Sequence, residues 1–503
     1  MRATLLLLCL ASALAADTLA DVRSRGDLVW GADPEGGGPY VYPRDDDPTS
    51  QTGFEVELAD VLAKRLGVTA TLSTADWATL PEILRAAKVD VVLNGYEWSP
   101  LRATSMEASI PYFIYGLQLL ARKDDPTLAT WEDVGKPVDG RKRRVGVLTE
   151  SAAEKYLIEN LGDRIELIHY NGNTDAMREV ETTKLDATLQ DTPIAAFYGP
   201  RFPGLRPIGA PVGRGYYVIL ARKGETALVS ALNDAIVWSA RDGSLKRIYR
   251  KYGIWDPAQL ELATLYGYVD QPDVQEEGGQ VGERPRGWEV VRRYGWIMVQ
   301  SAGMTVILSV LSFPVAVLLG LWIAVGRLYG PGWLKAPLAC YVEFLRGTPV
   351  MLQLYFVFFF LPELGIQVPA FWTAIIGLAI NYSAYESEIY RAGLQAIPPG
   401  QLEAALSLGM SRPLALRRII VPQAFRIVIP PVMNDFIALF KDTSVCSVVT
   451  IIELTKRFSV LSQSTQATIE LMGMTAVLYL LMSYPLSILS RKLELRLARE
   501  QQA

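Results

Sequence analysis

Cysteine and histidine are almost missing from this chain. Three cysteines occur in 503 residues: Cys9 near the start, and Cys340 and Cys446 in apolar C-terminal segments. None lies between Ala16 and Trp296, which excludes a disulfide framework or a cysteine metal site from that stretch. His169 is the one histidine, so histidine metal clusters are excluded and a Ser-His-Asp mechanism has only this residue to recruit. It follows the strand-like run Ile165-Glu166-Leu167-Ile168 and is expected to have no chemical role. A Gly-x-x-x-x-Gly-Lys-Ser/Thr phosphate loop is also lacking. No catalytic constellation marks an enzyme, and nothing calls for a cofactor or a metal. The net charge of −4 gives no reason to expect nucleic-acid binding.

What is present is divided unevenly. Charged residues fill the first half, whereas Met298 to Ser490 is mostly Leu, Val, Ile, Phe and small residues. Apolar runs near Gly303–Val325, Tyr341–Leu361, Phe371–Tyr390, Ile427–Phe440 and Ile469–Leu489 approach the roughly 20 residues a helix needs to cross a bilayer. The fourth is interrupted by Pro430-Pro431 and Asn434-Asp435. Residues 1–15, with Arg2, the run Leu5 to Leu10 and Ala13-Leu14-Ala15, have the parts of a signal peptide cleaved before Ala16. With residues 16–262 outside, Arg327, Lys335, Arg412, Arg417, Arg418 and the tail Arg491 to Arg499 all fall inside. That distribution obeys the positive-inside rule and predicts a multi-pass protein of the inner or plasma membrane with a cytoplasmic C-terminus.

From Asp27 to about Leu262, β-rich runs alternate with helical ones. Val56, Leu58, Ala59, Leu62 and Leu66 recur at helical spacing within Phe54–Leu66. Val89–Leu93, Val145–Leu148 and Ala187–Leu189 read as buried strands, and the alternation implies an α/β architecture with mostly parallel sheets. Leu119-Leu120-Ala121-Arg122-Lys123 is nearly repeated as Ile219-Leu220-Ala221-Arg222-Lys223, which suggests two crossings between a pair of lobes. A polar, turn-rich tether covers 263–290, and residues 291–503 form the membrane part. Within it, Glu403-Ala404-Ala405-Leu406-Ser407-Leu408-Gly409 reads as a short helix ended by Gly409, with Ser411 able to cap a second helix that tolerates Pro413.

These segments resemble two parts of ATP-driven amino acid importers. Residues 27–262 are similar to the polar-amino-acid family of solute-binding proteins through Thr52–Ala59, Val89–Gly95, Gly116–Lys123, Val145-Gly146-Val147 and Leu185…Pro193. Residues 294–490 resemble the permease subunit of the histidine/glutamine type through Tyr341–Pro349, Tyr390–Leu394, Pro422–Arg426 and Lys441–Ser444. The elbow within 398–420 resembles the EAA loop that grips the ATPase. The resemblance implies a two-lobed α/β periplasmic-binding-protein (Venus flytrap) domain followed by an all-α membrane domain of about five transmembrane helices. It implies an amino acid ligand, cytoplasmic ATP-binding-cassette subunits, pairing as a homodimer or with a second permease, and a lipid bilayer around the spans. Coupling would fall to Glu403, Ala404, Ala405 and Gly409.

By the same resemblance, Arg102 and Ser151 take the ligand carboxylate and Asp191 the ammonium, with Gly95 in the turn of the first lobe. The chain departs from the family pattern at Asn94-Gly95-Tyr96-Glu97-Trp98-Ser99, where Glu97 stands in place of a small hydroxyl residue. Glu97 either favours a cationic solute or pairs with another residue. Tyr40, Tyr96, Trp98 and Trp77 are candidates for the apolar wall or a cation–π face. A ligand-gated ion channel or receptor with a flytrap domain is the rival reading. Both hinge-like strands precede every span, however, and no Thr-Val-Gly-Tyr-Gly filter is present.

Overall fold

The computed structural model describes residues 18–170, 172–267 and 285–502; the expected leader at 1–15 and most of the expected tether lie outside these. The chain divides into two compact units: one runs through Arg286 and includes Ser459–Thr468, and the other holds Gly287–Phe458 and the chain from Ile469 on.

In the first unit a helix, Thr18–Arg25, leads into β1 (Asp27–Ala32), a small hairpin β2 (Tyr42–Pro43) and β3 (Gln51–Thr52), β4 (Thr69–Thr74), β5 (Val91–Val92) and β6 (Met106–Ala108). It then crosses into a second sheet as β7 (Phe113–Arg122), β8 (Arg143–Leu148), β9 (Ile165–Tyr170), β10 (Ala187–Asp191) and β11 (Leu205–Tyr217), and returns as β12 (Leu220–Arg222). The two sheets are ordered β4-β1-β5-β12-β6 and β11-β7-β10-β8-β9, one for each lobe. The helix Phe54–Leu66 forms as its spacing predicts and buries Phe54, Leu58, Leu62 and Leu66, each worth about 1.5–3 kcal/mol of apolar burial.

The near-repeat has a structural cause. Leu119–Ala121 pairs antiparallel with β10, and Leu220-Ala221 pairs antiparallel with β5. Arg122 donates to the carbonyls of Val180 and Leu185, and Arg222 to those of Leu84 and Val89. In each lobe the arginine thus closes the helix-to-strand turn beside the strand that its own strand pairs with.

In the membrane unit, Trp288–Tyr329 and Thr468–Arg496 are long and apolar enough to span a bilayer. The expected span over Tyr341–Leu361 is instead two helices, Gly332–Gly347 and Val350–Phe360, bent by 111°. Thr348 is extended (ψ 143°) before Pro349, because a residue preceding proline is driven out of the helical region. The expected third and fourth spans lie within Ala370–Gln395 and Val421–Asp442, the latter helical through Pro430-Pro431. Gly320 lets Trp288–Tyr329 and Ala370–Gln395 approach closely, since a Cβ there would sit 2.6 Å from Glu386 Cβ and 2.9 Å from Ser383 O. The elbow is the helix Pro399–Ser407, closed when Met410 N–H donates to Ala405 O and Gly409 N–H to Leu406 O. These two bonds make a Schellman cap, with Gly409 left-handed at φ +82°. The next helix starts at Arg412, and Ser411 precedes it without the expected side-chain cap.

Candidate functional site

Between the two lobes of the first unit lies a cleft with about 40 Å³ of free space. Asp191 reaches it from the end of β10 and precedes the helix Thr192–Tyr198. Its carboxylate accepts from the Tyr217 hydroxyl, which lies 2.7 Å from the Tyr40 hydroxyl of the other lobe. Tyr217 is held at the end of β11 by stacking on Tyr115, with ring centroids 4.6 Å apart. Burial, then the charge of Glu97, pushes Asp191 up to about 7, against the lowering effect of the Tyr217 hydrogen bond.

Glu97 enters from the turn after β5 and is buried. One carboxylate oxygen lies 2.7 Å from Arg102 Nη1, and the other accepts from Ala152 N–H at 3.1 Å. Ala152 is the first residue of the helix Ala152–Asn160 in the second lobe, so Glu97 bridges the lobes. Arg102 also donates to Glu97 O at 2.8 Å, and its guanidinium lies over Trp77 and Tyr96, 5.5 and 5.2 Å from their centroids. Trp77 and Tyr96 are themselves stacked at 4.7 Å, and Trp77 lines the cleft.

Of the residues singled out from sequence, Tyr40, Gly95, Glu97, Ser151 and Asp191 line this cleft. Gly95 has φ +61°, and a Cβ there would come within 2.9 Å of the Tyr40 ring. Its N–H donates to Glu55, whose carboxyl burial pushes up to about 7. Ser151 Oγ caps its helix, accepting from Glu154 N–H and donating to Leu148 O. Tyr96 backs Trp77 rather than the cleft, its hydroxyl donating to Trp77 O. Arg102 acts on Glu97 rather than lining the space, and Trp98 is half exposed, bonded through its backbone to Tyr216. His169 is an exposed partner of Glu154. Sequence reasoning missed Tyr217, Asn94 and Gln190; the aromatic pair Tyr216-Tyr217 just before the second copy of the near-repeat was the available signal for the first.

A cation held by Asp191 favours its ionised form, so binding must expel a proton wherever Asp191 starts protonated. Affinity for a cationic solute should therefore rise with pH up to about 7 and level off above it, falling by up to about tenfold per unit below. Calorimetry in two buffers of different ionisation enthalpy should register proton release on the acid side. Affinity independent of pH from about 5 to 8 would remove Asp191 as the contact.

The membrane unit carries its own cavity, of about 520 Å³, at the 111° bend. Asp435 and Asp442 line it with Tyr382, Tyr385, Asn381 and Arg346. Tyr382 donates to Asp442 at 2.7 Å, and Arg346 lies over the Tyr385 ring at 5.7 Å. Gln353 bonds Leu345 O, Thr348 O and Asn381 across the bend, so the bend and the cavity wall are one construction.

Residues 28–254 match the family of bacterial extracellular solute-binding proteins, family 3, and residues 316–499 match the inner membrane component of binding-protein-dependent transport systems. The chain is 39% identical over 189 residues to a probable amino-acid ABC transporter permease of Sinorhizobium fredii, covering 38% of this chain and 82% of that one. It is 34% identical over 215 residues to the L-cystine transport system permease TcyB of Bacillus subtilis, covering 42% and 92%. Among solved structures, an ancestral amino acid-binding protein, precursor of cyclohexadienyl dehydratase, is 27% identical, covers 47% of this chain and 99% of that one, and has a TM-score of 0.43. Neither matched family supports the ion-channel reading. The chain belongs to the binding-protein-dependent transport family, as the solute-binding domain and the inner membrane permease of an amino acid ABC importer joined in one polypeptide.

Proposed function

We propose that this chain captures a cationic solute of the amino acid class outside the membrane and passes it through its own membrane unit. The observation that carries this reading is that two separate cavities, one in each unit, both set carboxylates beside aromatic rings, although the second also holds Arg346. Glu97 and Asp191 lie beside Tyr40 and Trp77 in one, and Asp435 and Asp442 lie beside Tyr382 and Tyr385 in the other. Carboxylates and aromatic faces both attract a cation, and the attraction grows as water is excluded. One polypeptide carrying receptor and permease makes delivery intramolecular, at an effective concentration in the millimolar range for a short tether. ATP hydrolysis is assigned to separate cytoplasmic ATPase subunits docked at Glu403, Ala404, Ala405 and Gly409, with the permease paired to a second copy or a second permease. The N-terminal unit then lies outside and the C-terminus inside.

Reconstitution of the full chain with its ATPase in vesicles tests the reading. Arginine, lysine or a related amine should compete for uptake, whereas glutamate should not. Asp435→Asn with Asp442→Asn should cut uptake at least tenfold and leave solute binding by the outer unit unchanged. Glutamate uptake that no cationic compound inhibits would refute the proposal.

A further inference from the structure

A solute carboxylate entering the cleft needs a cation and free N–H donors. Among the described residues lining the cleft there is no Lys, Arg or His. The nearby guanidinium, Arg102, is 2.7 Å from Glu97, and the first N–H of the helix Ala152–Asn160 is 3.1 Å from the other oxygen of the same carboxylate. Both groups suited to a solute carboxylate therefore already hold one, supplied by the protein. The bridge is well built: the Glu97 side chain is 8% exposed, the Arg102 guanidinium lies against the stacked pair Trp77 and Tyr96, and Ser99 Oγ accepts from Arg102 N–H at 3.2 Å to fix the turn.

What the cleft leaves over is acceptor capacity. Gln190 is 1% exposed, and its Oε1 has no hydrogen-bond partner among the described residues, while its Nε2 donates to Thr188 Oγ1 at 2.7 Å. A buried acceptor without a donor carries a desolvation penalty that a bound donor would remove. Asp191 stands beside it in the same strand. With Arg102 and Glu97 cancelling, an ionised Asp191 leaves one negative charge, which can neutralise one cationic end of a solute.

We infer that Glu97 is a built-in substitute for the carboxylate of an amino acid, and that the cleft selects a cationic amine lacking one, such as a decarboxylated basic amino acid. Such a solute sets its ammonium against Asp191, lies along Trp77 and Tyr40, and leaves the Arg102–Glu97–Ala152 bridge intact. A basic amino acid has the same cationic end, but its carboxylate must compete with Glu97 for Arg102, and the displaced Glu97 is left buried. Glu97 is thus the specificity-determining residue.

This rests on the cleft being the solute site for a cation, and the test separates the two claims. Calorimetry on the full chain in lipid nanodiscs compares agmatine, which is arginine without its carboxylate, with arginine, and cadaverine with lysine. Each amine should bind at least tenfold more tightly than its amino acid. Glu97→Ser releases both Arg102 and Ala152 N–H, and Glu97→Gln removes the negative charge and keeps one amide oxygen for only one of the two donors. Glu97→Ser should reverse the order by improving the amino acids at least tenfold, and Glu97→Gln should shift it the same way by less. Wild-type protein that prefers arginine and lysine overturns this inference and leaves the cationic importer standing. Binding of glutamine with none of the four cations overturns both. If neither variant folds, as judged by its melting profile, the wild-type order alone decides.

Discussion

Replacing Gly409 with Val should abolish uptake and solute-stimulated ATP hydrolysis while leaving solute binding by the outer unit intact. Gly409 sits at φ +82°, and a Cβ built there meets nothing within 4 Å. The cost is therefore conformational alone: a left-handed residue costs roughly 1–2 kcal/mol for an ordinary side chain, and a β-branched one is worse placed still. Val would shift this joint out of the left-handed region and break the pair of bonds from Gly409 and Met410 to Leu406 and Ala405. The exposed Leu408 and the helix Pro399–Ser407 would then point elsewhere relative to the helix that restarts at Arg412. Gly409→Asn provides the control, because asparagine enters the left-handed region more readily and should restore much of the transport. Vesicles containing the ATPase supply both readouts. Normal stimulated hydrolysis by Gly409→Val would show that the elbow is not a demanding coupling joint.

Asp191→Asn should weaken binding of the cationic solute by about 2–5 kcal/mol, a factor of roughly 30 to several thousand in Kd. The shape is kept and the charge removed. Asn can still accept from Tyr217, so the Tyr40–Tyr217 contact at 2.7 Å survives and the fold is not put at risk. Loss of affinity would then measure electrostatics in a closed site rather than misfolding. An unchanged Kd measured by calorimetry on the full chain would exclude Asp191 as the ammonium contact.

The two-lobed plan was legible because its cues are local. Helical spacing in Phe54–Leu66, short apolar runs for β8 and β10, and the near-repeat ending at Arg122 and Arg222 each depend on neighbours along the chain. The bend at Thr348-Pro349 was signalled by proline but outweighed by the apolar run around it. The site was half legible. Asp191, Glu97 and Tyr40 carry chemistry visible in one letter, yet the partner of Glu97 required knowing that Ala152, 55 residues on, presents its N–H across the cleft. Tyr217 was hidden for the same reason: its hydroxyl meets Asp191 only because β11 runs antiparallel beside β7, which places the end of β11 next to the β10 terminus.

The order in which the strands are made has a consequence for how the first unit folds. Every strand of the second lobe's sheet comes from the continuous stretch 113–217, so this sheet has all its partners once Tyr217 has been made. The first lobe's sheet does not: β5 and β6 wait for β12, which arrives at Leu220 and lies between them. Until then Val91-Val92 has an unpaired edge, the kind of surface that pairs wrongly or aggregates. The later lobe in sequence is thus the first able to fold, and the N-terminal lobe is the one exposed to misassembly. Lobe 1 should be the slower to gain protection from hydrogen exchange, because its closing pairing spans about 130 residues of chain.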